Sequence, residues 1–262
     1  MQIPQHKFLG LYLALVPCLM GAGESAWSEM AQYRFKEARA HFSALGTREG
    51  RLGEAVALLN LQPRTENNVQ QAAALLTQIM ADGDRDETGL TARYMLARIS
   101  QMHGATDQEI DAAQRYRELL ADSPDNHPLA AQSVIKLAML TLYSTALPRE
   151  PSQRLELAAA LQGRVKRPEA LRDFHLLIGR AFLFYQISPE KALAHFEAAW
   201  EAGVQNFSNR SDVLVAIAEL ARKCGRLERA RSAYEQFLIE FPRDDRGHAI
   251  KLILQEKGQK GT

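Results

Sequence analysis

The stretch Asp212 to Pro242 limits the fold of this chain more than any other. It reads DVLVAIAELARKCGRLERARSAYEQFLIEFP. Leu214, Ile217, Ala218 and Ala221 recur three or four residues apart, as they would on one face of a helix. Leu227, Ala230, Tyr234, Phe237 and Leu238 do the same a few residues later. Strands alternate with a period of two, so this spacing predicts two amphipathic helices. Gly225 breaks the pattern between them and Pro242 closes it. Small side chains at Ala218 and Ala230 allow the two helices to approach closely, and Tyr234 fills the space beside them.

Similar units lie upstream. From about Arg172 to Gly203, Gly179 takes the small position and Phe182 an aromatic one, and Ala192, Phe196, Ala199 and Trp200 make the second face. Ser188-Pro189-Glu190 suits a helix start: Ser caps, Pro fits the first turn and Glu complements the dipole. A further unit, Thr91 to Pro124, carries Leu96, Ala97, Ala112, Tyr116, Leu119 and Leu120, with an enlarged turn at Gly104 to Asp107. Between these two units a degenerate hairpin is expected. Val134, Leu137, Ala138 and Thr141 make its first helix. Leu155, Leu157, Ala158 and Leu161 make its second, after Pro148 and Pro151. Tyr33 to Leu45, Leu52 to Leu61 and Val69 to Met80 read as three more helices, broken at Gly50, Pro63 and Gly83. Beyond Pro242, Ala249, Ile250, Ile253 and Leu254 predict a capping helix over the last hairpin, followed by a polar tail from Gln255 to Thr262.

The last full unit resembles a tetratricopeptide repeat (TPR). The match lies at Ala218, Gly225, Ala230, Tyr234 and Pro242, with Leu214 where the family often has Trp. The resemblance is good over residues 91–242 and weak over 28–90. It implies an all-α fold, a right-handed superhelical stack of antiparallel helix hairpins forming a TPR-like α-solenoid. A non-repeat helical bundle is the alternative. It also implies a concave groove lined by first helices, where a protein or peptide partner binds. Carried over by register, Tyr94, Arg98 and Gln101 face that groove, then Met139, Leu142 and Tyr143, then Arg180, Leu183 and Phe184, then Glu219, Arg222 and Lys223. The other reading of Met139, Tyr143 and Phe184 is packing between neighbouring hairpins. The ending YEQFLIEFP is in the style of bacterial envelope proteins with these repeats, and suggests a scaffold in envelope assembly or maintenance.

The N-terminus agrees with that setting. Met1 to Lys7 is short and polar, Phe8 to Met20 is apolar and uncharged, and Gly21, Ala22 and Gly23 follow. This order is that of a signal peptide over residues 1–23, and the apolar run is short of the roughly 20 residues a membrane span needs. The chain is therefore expected to be exported, to a periplasm or beyond, with residues 24–90 forming N-terminal helices. Lipid anchoring at Cys18 is disfavoured by Pro17, which sits where a lipoprotein box wants a small residue. After cleavage Cys224 is the one remaining cysteine, so no intrachain disulfide is expected. The whole chain has 32 basic and 31 acidic residues, and the lost segment holds one Lys and no acid. A neutral mature chain has no basic footprint for nucleic acid.

Motifs of catalysis are missing. There is no G-x-S-x-G, H-E-x-x-H, paired-cysteine zinc pattern or P-loop. The histidines are scattered and read as packed or surface residues, and no metal or cofactor is expected. Cys224 lies beside Arg222, Lys223 and Arg226, cations that would lower a thiol pKa, but its favoured reading is a small residue at a helix–turn junction. The reading is of a scaffold and not an enzyme. The alternative is an accessory enzyme acting on an envelope polymer through an unrecognised site.

Overall fold

The computed structural model describes residues 24–103, 106–147 and 149–258. The expected signal segment, Cys18, Gly104, Pro148 and the end of the tail lie outside the described residues. Among those described there are thirteen α-helices and no strand. They fall into two compact units divided between Pro124 and Asp125.

The first unit holds α1 (Glu24–Ala31), α2 (Phe35–Leu45), α3 (Arg48–Asn60), α4 (Glu66–Asp82), α5 (Glu87–His103) and α6 (Thr106–Asp122). Each helix packs on the next, and α3 also touches α1 and α5. The expected break at Gly50 falls instead at Gly46, which adopts the left-handed conformation at φ 61° that ends a helix. Gly50 lies within the first turn of α3, where its amide donates to the capping Thr47 Oγ1 at 3.0 Å. Gly53 has a packing role: a Cβ there would lie 2.3 Å from the Phe42 ring. Phe42 in turn meets Trp27 of α1 edge to face at 4.8 Å. Helix α1 lies within the expected N-terminal helices but ahead of the three with stated bounds, and its buried Ala26, Trp27 and Met30 join the apolar core.

The second unit holds α7 (Pro128–Tyr143), α8 (Pro151–Ala159) with a 3-10 turn (Ala160–Arg164), α9 (Pro168–Phe184), α10 (Pro189–Glu201), α11 (Phe207–Lys223), α12 (Leu227–Glu240) and α13 (Gly247–Gly258). Hairpins α7–α8, α9–α10 and α11–α12 pack in series, and α13 covers α12. Ser188 caps α10 by accepting from the Lys191 amide at 3.3 Å, with Pro189 in the first turn. Gly179 lets α9 and α10 approach, since a Cβ there would sit 3.2 Å from the Phe196 ring. Leu155 and Ala158 of α8 are buried as expected, whereas Leu157 is exposed. The helix gives way to a 3-10 turn, so the apolar stripe is only one turn long. One guanidinium shapes the irregular α7–α8 connection: Arg154 donates to the carbonyls of Thr141, Leu142, Ser144, Leu147 and Arg149 at 2.8–3.3 Å.

Candidate partner-binding face

Three aromatic rings meet where the first helices of two hairpins end. Tyr143 is the last residue of α7 and Phe184 the last of α9. Their rings lie 5.6 Å apart, edge to face. Tyr185, just past the end of α9, stands 5.0 Å from Phe184 and stacks on Tyr143 at 6.4 Å. The Tyr185 hydroxyl donates to the Leu142 carbonyl, which ties the end of α9 to the end of α7. Tyr143 is 39% exposed and Phe184 67% exposed, so this cluster faces solvent. Met139 and Leu183 are exposed on the same two helices. The Tyr143 phenol is pushed above its ordinary pKa by burial and by Tyr185, with Arg180 opposing. Arg180 itself is exposed and donates to Asn209 Oδ1 at 3.4 Å.

The other expected groove residues divide. Glu219, Arg222 and Lys223 are exposed on α11. Tyr94 and Leu142 do not face a groove. Tyr94 is 1% exposed, with its ring 6.0 Å from Tyr116 inside the α5–α6 hairpin, and burial raises its phenol to about 12. Leu142 is 0% exposed and falls on the same buried stripe as Ala138 four residues earlier. In each case the carried-over register is wrong by part of a turn, which turns the side chain inward. Gln101 accepts from the Tyr116 hydroxyl at 3.1 Å and from Arg98 at 2.7 Å. The first of these bonds satisfies the buried Tyr116 phenol within the hairpin, and the second holds the Gln101 amide.

Two features escaped the sequence. Tyr185 belongs to the cluster although it lies beyond its helix; an aromatic directly after Phe184 is the signal that was available. His175 and His195 are 20 residues apart in the chain, yet their Nδ1 atoms lie 2.9 Å apart across the α9–α10 hairpin. Burial and the neighbouring imidazole depress His195 to about 4. Cys224 caps the end of α11, as its junction reading expects, and the neighbouring cations do not activate it. Its thiol is pushed up, first by desolvation and then by Glu190, and Arg226 only partly offsets them. Among the described residues no three His, Cys, Asp or Glu side chains are grouped to hold a metal. Nor is any helix there long and apolar enough to cross a membrane.

No family profile and no curated protein matches the sequence. Solved structures do. PilF of Pseudomonas aeruginosa is 13% identical, with 88% of this chain and 95% of that one covered, at a TM-score of 0.53. A thermophilic TPR protein of Thermus thermophilus, TTC0263, is 21% identical over 80% of this chain and 98% of its own, at 0.44. The C-terminal part of a TPR repeat-containing protein of Cytophaga hutchinsonii is 13% identical over 87% and 98%, at 0.40. At these identities the likeness is one of fold. Serial helix hairpins, small residues at their crossings and the likeness to PilF agree on the fold: the chain is an all-α, TPR-like protein of packed helix hairpins.

Proposed function

We propose that the chain is an exported scaffold that holds a protein or peptide partner on the exposed cluster of Tyr143, Phe184 and Tyr185, in the assembly or maintenance of a bacterial envelope. The observation that carries this reading is the solvent exposure of Phe184 at the centre of an ordered aromatic cluster. A contiguous exposed apolar patch, unlike a single exposed ring, marks an interaction surface, and aromatic side chains are common anchors of interfaces. Met139 and Leu183 extend the apolar surface, and Arg180 supplies a charge that orients a partner. Export rests on the order of charges, apolar run and small residues in residues 1–23.

Affinity capture from the envelope of the protein's own host, with the wild-type chain and Phe184→Ala side by side, tests the binding face. One partner recovered by the wild type and lost with the variant is the expected result. A partner held equally by both moves the binding face elsewhere. Mass spectrometry of the exported protein tests the other half, with a mature start near residue 24 expected. An intact N-terminus on cytoplasmic protein overturns export.

A further inference from the structure

The exposed aromatic cluster sits on two helix C-termini, where the last carbonyls have no partner within the helix. Here most of them are taken. On α7 the Leu140 carbonyl accepts from the Ser144 amide at 2.9 Å and Thr141 accepts from Arg154 at 3.3 Å. Leu142 accepts from Arg154 at 3.2 Å and from the Tyr185 hydroxyl. On α9 the carbonyls of Ala181, Phe182 and Leu183 accept from the amides of Tyr185, Ile187 and Gln186 at 3.0–3.1 Å. Three of the last four carbonyls of each helix are thus engaged within the chain.

The cluster therefore offers rings and donors. Arg180 stands one turn before Phe184 on α9, is close enough to act on the Tyr143 phenol, and donates to a neutral group, Asn209 Oδ1, at 3.4 Å. A guanidinium only donates, and the half-exposed Tyr143 adds a hydroxyl. The Tyr143 and Tyr185 rings lie 22° from parallel, and Phe184 stands at 83° and 76° to them. With centroids 5.0–6.4 Å apart these rings fill one another's space, so they do not enclose a cage for an ammonium group, and Arg180 would repel one.

A partner that fits brings apolar rings and carbonyl acceptors, and few N–H donors. An ordinary extended segment carries an N–H for every carbonyl and would set those donors against rings. A helix spends its carbonyls on itself and leaves Arg180 and Tyr143 to side chains alone. Proline keeps the carbonyl and removes the N–H. Its polyproline II helix has no internal hydrogen bonds, holds its shape before binding, and docks on aromatic surfaces. On the reading of this cluster as the partner-binding face, we propose that the segment it holds is proline-rich, in the polyproline II conformation, with an acidic residue beside its prolines. Proline rings lie on Tyr143 and Phe184, a main-chain carbonyl accepts from the Tyr143 hydroxyl, and the acid pairs with Arg180.

Fluorescence anisotropy of a labelled peptide of repeated Pro-Pro-Glu, about twelve residues long, titrated with the full chain, tests it. Peptides of repeated Ala-Ala-Glu, of repeated Pro-Pro-Gln, and an amphipathic helix of Leu and Glu are compared. Saturable binding of Pro-Pro-Glu is expected, with Ala-Ala-Glu at least about tenfold weaker. Tyr143→Phe keeps the ring and loses the donor, and is expected to weaken Pro-Pro-Glu about three- to tenfold with melting unchanged. Arg180→Gln is expected to bring Pro-Pro-Glu down to the level of Pro-Pro-Gln. Absence of saturable binding at millimolar peptide overturns the proposal. So does tighter binding of the amphipathic helix, or binding undiminished by both Tyr143→Phe and Phe184→Ala. Flotation with phosphatidylglycerol vesicles is read beside it: vesicle binding lost with Phe184→Ala, where the peptide does not bind, gives the face to a lipid surface and overturns the proposal. An envelope partner captured through Phe184 but not displaced by the peptide overturns the proline reading and leaves the scaffold reading standing. Peptide binding that depends on Phe184, beside an envelope partner that does not, supports the proline reading and removes that partner from this face.

Discussion

His175 of α9 and His195 of α10 share one hydrogen bond, Nδ1 to Nδ1 at 2.9 Å, in a hairpin packed with Phe174, Phe182 and Phe196. One ring donates and the other must accept, so the accepting ring is unprotonated at Nδ1, and burial favours the neutral form of both. The charges nearest in the chain are engaged elsewhere, Asp173 with Arg172 and Glu197 with Arg229. Protonating the acceptor breaks the bond and sets two N–H groups against each other. Burial depresses both histidines below their ordinary pKa, and the His175 imidazole adds to it at His195, which falls to about 4.

The sign of the pH dependence follows. A base whose folded pKa is lowered leaves stability intact above its unfolded value near 6.5, and stability is lost as pH falls toward about 4. For the half-exposed His195 the loss is on the order of 1–3 kcal/mol after discounting for solvent. Urea unfolding from pH 7.5 to 4.5 measures it. His195→Gln, which does not titrate, should flatten the slope; an identical slope would remove the pair from the account.

Phe42 and Phe184 make a matched test of core against surface. Phe42→Ala empties the space that Gly53 and Trp27 enclose and should cost about 3–5 kcal/mol. Phe184→Ala removes a ring that is mostly in water and should cost about 1 kcal/mol or less. The same Phe184 variant should weaken partner binding about thirtyfold, the effect of roughly 2 kcal/mol at an anchor. Thermal melts of the two variants, read beside binding, separate the roles. A large melting shift for Phe184→Ala would return it to the packing.

Alanine substitution at two glycines should act in opposite directions. Ala is the better helix former by about 1 kcal/mol. At Gly53 the added carbon meets the Phe42 ring at 2.3 Å, so Gly53→Ala should destabilise by about 1–3 kcal/mol despite that gain. At Gly163 a Cβ meets nothing within 4 Å, so Gly163→Ala should be neutral or stabilising. Chemical denaturation midpoints decide both.

Arg154→Lys should be far from conservative. An ammonium has three donors on a flexible stem and does not span carbonyls from Thr141 to Arg149 as the guanidinium does. A loss of about 1–3 kcal/mol is expected, together with faster amide hydrogen exchange at the end of α7. Unchanged exchange there would show that the connection holds without it.

The helices were legible because small and large apolar residues recur with the helical period, and Ala218, Gly179 and Ala192 mark their crossings. Gly46 was missed in favour of Gly50: both are glycines near a boundary, and only backbone conformation tells a terminator from a first-turn residue. At the candidate face, Tyr143 and Phe184 were legible as a neighbouring pair, since both end first helices. Tyr94 and Leu142 were misassigned because register carried from a repeat drifts, and about 100° per residue is enough to turn a side chain from solvent to core. The histidine pair was hidden for another reason. Its partners are brought together by the hairpin turn, and no local spacing announces that.

The Arg154 bonds all end on main-chain oxygens, which every residue type possesses. Substitutions at Thr141, Leu142, Ser144, Leu147 or Arg149 would leave each acceptor in place. The exposed positions of the α7–α8 connection are thus able to change while it keeps its path, provided a single guanidinium persists and Leu142 stays in the core. Kinship between such chains would then fade from sequence comparison soonest at this hairpin, while their backbones still superpose. A search keyed to an arginine in the first turn of the helix after the irregular connection would recognise relatives that a residue-by-residue alignment passes over.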